Sequence, residues 1–504
     1  MKTGLLTMLA ILATAMSPSL LRAKEGIRIT EMRSENAPLV TIRIILRAGS
    51  INDPAGKEGI NALTAQLIGS GGTKEMTYAQ VLEKMYPWAA NISSQADQEL
   101  TTFTGDVHRD HLDEFYALFT ALVLTPRFDP ADFARVKEDQ INYIVNTLRS
   151  TDDENLGKEA LNAVMFEGHP YGTTEAGTVT GLNAITLDDV KAYYATAYTQ
   201  ASLWVGLSGG YPAGFADRVR TDFAKAPAGE VLKTELPAPP VVDGMEVLVV
   251  QKPARAYAVS MGFPIAVTRK DRDFYALMVA NSYFGEHRTF NGVLMNKLRG
   301  DRGFNYGDYS YIEKFTGGTA GNAFPNVNTP LRQQYFSIWL RPIPPGSTHF
   351  AIRNALYELK RLVEKGLTKE DFETTRKFVT NYSKLWAATG SRRLGYLMDS
   401  EFYGTPYFID RIEQELKTLT VDEVNAAIKK YLTPDNIRIA VVVDAGKGNE
   451  FFEAMANNTP TPMTYDAPKP PELVNEDKII EAFPLKVNRA KSRVVDAKDL
   501  FEKR

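Results

Sequence analysis

Three groups of side chains in this 504-residue sequence have types or spacing suited to chemistry. The first lies in GINALTAQL, Gly59 to Leu67, where Ala62, Ala65 and Gln66 stand at i, i+3 and i+4. On a helix that spacing puts three side chains on one face. It would gather catalytic groups, yet here it offers two methyls and one amide. The second is HRDHLDE, in which His108, His111 and Glu114 imitate a ligand cluster. It follows a strand-like LTTFTGDV and opens an amphipathic helix carrying Leu112, Phe115 and Leu118, so it reads as a polar helix start facing solvent. The third is NGVLMNKLRGDRGFNYGDYSYIE, Asn291 to Glu313, which reads as a helix, a turn containing Gly303 and a strand. Arg299 and Tyr306 lie seven residues apart across that turn. On residue types alone they fit an exposed helix arginine and a half-buried strand tyrosine.

The elements that must position these groups fall into two similar blocks. KAPAGEVLKTELPAPPVVDG, Lys225 to Gly244, is rich in Pro, Ala and Gly, lacks apolar periodicity and reads as a linker. The expected division is residues 24–224, linker 225–244, residues 245–450 and a tail from 451 to 504. TLDDVKAYYATAYTQASLWVGLSGG in the first block parallels TVDEVNAAIKKYLTPDNIRIAVVVDAG in the second. Each has a Thr N-cap, acidic residues in the first helical turn, then an apolar strand closed by Gly. DPADFARVKEDQINYIVNTL pairs with TKEDFETTRKFVTNYSKLW, and GHPYG with YGTPY. Three signals in the same order predict a duplicated domain. LVTIRIILRAGS and QQYFSIWLRPI read as strands. The helices are long and do not interleave one-for-one with strands, which favours α+β. FTGGTAGNAFPNVNTP reads as a loop between two strands, SRRL (Ser391 to Leu394) as a solvated helix face and the turn at His169 as structural. The Pro- and Lys-rich tail is expected to hold one more ordered segment and to fray at its end.

Bulk properties narrow the function. The hydrophobic content of 44% and charged content of 24% are those of a globular protein. A net charge of -3 argues against a nucleic-acid or anionic-membrane partner. With no cysteine, disulfides, thiolate metal sites and cysteine nucleophiles are excluded. Lys2, the apolar run Leu5 to Ala15 and small residues up to Ala23 predict a signal peptide over 1–23 and export, to a periplasm if the source is bacterial. No later stretch is long and apolar enough to span a bilayer.

The strand ending LRAGSINDPAGKEGINALTAQLIGSGGT, followed by YAQVLEKM and GHPYG, resembles the N-terminal domain of the insulinase/pitrilysin family of zinc peptidases, which includes the mitochondrial processing peptidases. The resemblance runs from about Arg28 to Gly446. It implies two homologous α/β-sandwich domains of the mitochondrial-processing-peptidase-like metallohydrolase fold. Active members carry H-x-x-E-H on the first helix, with both His on zinc and the Glu as general base. Laid on this sequence, those positions are Ala62, Ala65 and Gln66. The family's third ligand, a Glu on a later helix, falls in EDQINYIV at Asn142 or Tyr143. Glu138 shares that helix, but one carboxylate without imidazoles makes a poor zinc site. The resemblance thus implies no cofactor in this chain and zinc in a partner. It also gives Leu298, Arg299 and Tyr306 a role, because the family's C-terminal domain carries an Arg and a Tyr at this spacing that reach another domain's zinc face and hold substrate. The expected protein is a zinc-less subunit of a heterodimeric peptidase acting on peptides. The alternative is a non-catalytic peptide-binding or scaffold protein. No other nucleophile, base and orienter are visible together.

Overall fold

The computed structural model describes residues 27–315 and 324–504. The expected signal peptide, and part of the Gly-rich loop at 316–323, lie outside the described residues. The first block forms a sheet from β1 (Arg28–Arg33), β2 (Leu39–Leu46), β3 (Asn91–Ala96), β4 (Thr101–His108) and β5 (Leu203–Gly209) in the order β1-β5-β2-β4-β3. The second builds β6 (Met245–Lys252), β7 (Tyr257–Ile265), β8 (Asp308–Tyr311), β9 (Gln334–Ile343), β10 (Ile437–Asp444) and β11 (Arg493–Asp496) in the order β11-β6-β10-β7-β9-β8. With β11 set aside, the two orders are the same. In each, the first and last strands of the block pair in parallel and the other neighbours are antiparallel. This is the duplication expected from the paired segments, in an α+β fold.

Helices begin where the sequence carries caps. Asp129 accepts the amides of Ala131 and Asp132, and Thr368 accepts that of Asp371. Thr186 with Asp189, and Thr420 with Glu423, close reciprocal capping boxes at equivalent places in the two blocks. The first block's helices include α1 (Ile60–Ser70), α2 (Tyr78–Met85), α3 (Leu112–Leu124), α4 (Pro130–Asn142) and α5 (Asp153–Met165).

The blocks exchange a helix. α5 lies on the second sheet, where a Cβ built on Gly157 would touch Ser260, Val442 and Ala258. Its ends are tied there: Asp153 pairs with Lys252, and the Met165 carbonyl accepts from Arg438 at 2.6 Å. In return the helix Gly390–Tyr403 lies on the first sheet. Its Leu394 and Met398 pack with Ile45, Leu100 and Trp204, and Gly206 leaves room for the Met398 sulfur. SRRL belongs to this seam and is not a solvated face. Ser391 Oγ accepts from Arg43 of β2 at 3.1 Å, Arg392 binds the Trp386 and Pro325 carbonyls, and Leu394 is fully buried. The segment 225–244 carries no helix or strand before β6 begins to pair, and it is strapped across both blocks. Asn52 donates to Thr234, and the Pro237 carbonyl accepts from Gln333. The tail does not fray. β11 extends the second sheet, then the Val179 and Thr180 amides donate to the Phe501 and Glu502 carbonyls of the tail, both at 2.9 Å, with Phe501 buried. Among the described residues no helix is long and apolar enough to cross a membrane.

Candidate functional site

α1 starts at Gly59, whose left-handed φ of 102° brings its α-carbon so close to the Ala176 carbonyl that a Cβ would sit 2.7 Å from it. Asp53 accepts the Gly59 and Asn61 amides at 2.7 and 3.0 Å and caps the helix. The stripe that could hold a metal is filled with packing. Ala65 is 1% exposed and belongs to the first core, Ala62 is half-buried, and Gln66 faces solvent. α4 runs beside α1, with Gln140 donating to the Gly59 carbonyl and Arg135 to that of Ser70. Asn142 ends α4, Tyr143 opens a π turn (Tyr143–Leu148), and Glu138 is exposed. Methyls, amides and a phenol do not fit zinc. Among the described residues, no group of three or more His, Asp and Glu is arranged to hold a metal.

Near Tyr143 the sequence hid a different cluster. Partial burial, then the charges of Glu159, Asp152 and Glu175, push the Tyr143 phenol up to about 12. Lys314 reaches over from the end of β8 and pairs with Asp97 at 2.9 Å and with Glu175. Burial works against the Lys314 charge, but Asp97 and Glu175 outweigh it and hold its ammonium above the usual range. Burial and the neighbouring Glu175 push Glu159 up to about 7. Asp97 and Glu175 of the first block are thus tied to Lys314 of the second. No local signal in the sequence points to that cluster, whose members lie far apart along the chain.

Beside α1 the sheet ends at β3, which pairs only with β4 and whose residues alternate exposed and half-buried. An unpaired strand edge is a template for an added strand. A groove of about 260 Å³ lined by Tyr78, Leu82, Met85, Tyr86 and Ile92 adjoins it, with Tyr86 87% exposed.

The second block carries the third candidate group. Arg299 ends a π turn (Met295–Gly300), and Gly303, at φ 72°, reverses the chain so that its amide donates to the Arg299 carbonyl at 2.9 Å. Tyr306 follows in the turn before β8, the edge strand of the second sheet, and is 77% exposed. Its hydroxyl has no hydrogen-bond partner among the described residues, while its backbone carbonyl accepts from Arg288. The Arg299 guanidinium is half-buried, and among the described residues its side-chain hydrogen bond goes to the Met295 sulfur at 3.9 Å. The phenol thus has no hydrogen-bond partner among the described residues, and the guanidinium spends one donor on a weak thioether acceptor.

The remaining candidates are structural. His108 closes β4 and accepts the Asp110 amide, His111 stacks on Trp88 at 6.1 Å between centroids, and Glu114 is exposed. His169 accepts the Tyr171 amide through Nδ1 at 3.0 Å and meets the Pro237 carbonyl through Nε2 at 3.1 Å, a buried turn.

Comparison with known proteins agrees with this architecture. The sequence matches the insulinase (peptidase family M16) model over residues 28–179 and the peptidase M16 inactive domain over residues 184–379. A Helicobacter pylori protein called non-peptidase homolog YmxG is 23% identical over 456 residues, spanning 89% of this chain and 100% of that protein. A Streptomyces coelicolor protein called an uncharacterized zinc protease is 23% identical over 436 residues, spanning 82% and 84%. In fold, the peptidase M16 inactive domain from Pseudomonas fluorescens superposes with a TM-score of 0.73 at 20% identity, covering 84% of this chain and 96% of that one. A protease from Helicobacter pylori superposes at 0.69 and 15% identity, covering 83% and 97%.

Proposed function

The chain belongs to the insulinase family of M16 peptidases, and from that premise we propose that it is the zinc-less subunit of an exported two-chain peptidase. A homologous partner carrying H-x-x-E-H supplies the zinc and the general base. This chain supplies Arg299 and Tyr306 in trans and half of the enclosing chamber. The peptide carbonyl under attack gains negative charge in the transition state. The Tyr306 hydroxyl donates a hydrogen bond to that oxygen, and Arg299 holds neighbouring carbonyls through its fixed donors. The β3 edge suits extended peptides of varied sequence, because backbone pairing is blind to side chains.

The observation that carries this reading is the asymmetry between the half-sites. The zinc stripe has become core at Ala65, while Tyr306 is 77% exposed with a free hydroxyl. A large aromatic this exposed, its hydroxyl without a partner among the described residues, adds little to the fold. The rival reading, a peptide-binding or scaffold pseudo-peptidase, is favoured by the likeness to a protein named as a non-peptidase homolog. The test is to purify this chain and a homologue bearing the zinc motif, then to assay peptide hydrolysis and complex formation separately and mixed. The proposal expects no hydrolysis by this chain alone, a stable complex, and activity that needs both. A homologue equally active without this chain would leave only the scaffold reading.

A further inference from the structure

The turn that presents Tyr306 is built around one buried carboxyl, that of Asp308. Asp308 is 2% exposed and opens β8 opposite Leu340. Its Oδ1 accepts from Asn305 Nδ2 at 2.8 Å, while Oδ2 is buried without a partner. The same Asn305 nitrogen donates to the Arg341 carbonyl at 2.8 Å, and its Oδ1 accepts the Gly307 amide at 3.1 Å. The Asn305 amide therefore closes a loop around Tyr306, fastening it to Asp308 on one side and to β9 on the other. Arg288, from the segment before this hairpin, donates to the Tyr306 carbonyl and is also the cation that faces Asp308.

We infer that Asp308 is the positioning residue for Tyr306, acting through Asn305 and Arg288 to set whether the phenol is held or released. This rests on the role of Tyr306 proposed above. With a proton on Asp308, the neutral carboxyl asks nothing of Arg288, which stays on the Tyr306 carbonyl. Without it, an uncompensated negative charge sits in a dry site with one oxygen unsatisfied. The charges around it leave a single responder. Arg341 is turned to Glu154, Glu286 is bound by Asn281, and Arg299 lies against Met295, which leaves Arg288 to move towards Asp308 and let go of Tyr306. Burial, against the opposing pull of Asn305 and Arg288, pushes the Asp308 carboxyl up to about 7, so both states are populated around neutral pH.

The test uses the full chain with 4-trifluoromethylphenylalanine, a reporter that does not titrate, at position 306. Its fluorine resonance is followed from pH 5 to 9 by NMR. The expected result is a shift with a midpoint near 7, where the Asp308 carboxyl is poised. The shift should vanish in Asp308→Asn, which keeps the acceptor for Asn305 but cannot ionise, and in Arg288→Gln. Asp308→Ala should broaden the resonance at all pH values. If it fails to fold, Asp308→Asn still decides. A resonance that does not titrate, or one that titrates unchanged in Asp308→Asn, overturns the inference. The trans-acting reading is judged separately. A resonance that follows Asp308, combined with hydrolysis indifferent to Tyr306→Phe, keeps the positioning device and removes its catalytic purpose.

Discussion

Placing a carboxylate at Ala65, where the resemblance puts the family's general base, tests whether that position is filled by packing. Ala65 is 1% exposed and lies in the first hydrophobic core, on the stripe shared with half-buried Ala62 and exposed Gln66. Ala65→Glu adds four heavy atoms and a charge to a filled position. Overpacking costs about 1–3 kcal/mol. A buried polar group without partners costs about 1–3 kcal/mol more. The expected destabilisation is therefore about 2–6 kcal/mol at pH 8. Burial would raise the new carboxyl above its unfolded pKa. The folded state then binds its proton more tightly, so the deficit grows as pH rises and is smallest in acid. Gln66→Glu, one position along on the exposed side, should change stability by less than about 0.5 kcal/mol. Guanidinium unfolding followed by circular dichroism at pH 5 and pH 8 measures all of these. An Ala65→Glu chain as stable as its parent at pH 8 would mean that the stripe still faces open solvent, and the argument for an occluded half-site would fail.

Other parts of the account are open to similar tests. Met398→Ala, at a fully buried position of the exchanged helix, should cost about 2–5 kcal/mol in unfolding experiments, with Trp204 fluorescence reporting the same loss. Leu385→Ala, 56% exposed, serves as its neutral control. Lys314→Met should destabilise by about 3–5 kcal/mol at neutral pH by leaving Asp97 buried, and Glu175 half-buried, without their cation, with partial recovery in acid as Asp97, whose carboxyl burial pushes up, takes up its proton. His287 packs edge-on against the Phe378 and Tyr382 rings, and burial lowers its imidazole to about 4. The unfolded chain takes up that proton at higher pH, so stability should fall as pH drops from 6.5 towards 4, by up to about 3 kcal/mol. His287→Gln should flatten that slope in a pH series of thermal melts.

What could be read from the sequence was what depends on neighbours along the chain. The Thr186 and Thr420 boxes, the Asp129 and Thr368 caps and the strands at Leu39 and Gln334 are local patterns, and each forms where the pattern stands. The repeat was legible because two such series run in the same order. The shared face of Ala62, Ala65 and Gln66 follows from i, i+3, i+4 spacing on a helix, while their place in a zinc motif is what the family resemblance implies. What was hidden depends on the other block. α5 and the helix Gly390–Tyr403 carry ordinary amphipathic patterns, and nothing in them tells which sheet each will cover. SRRL looked solvated because Arg392 spends its donors on carbonyls of Pro325 and Trp386 that only the fold brings near. Asp308 was passed over beside Tyr306. The Asn-x-Gly of FNYGD marks a turn, but only the folded sheet reveals that the aspartate behind it is dry.

The most direct measurement is kcat/KM for a peptide substrate hydrolysed by the mixture of this chain with its zinc-bearing homologue, comparing Tyr306 with Tyr306→Phe. Removing one donor to a developing oxyanion should lower it about 10²–10³-fold. Complex formation should be unchanged, because the exposed hydroxyl supports nothing in the fold. Equal rates with the two chains would contradict the account and leave the protein a scaffold.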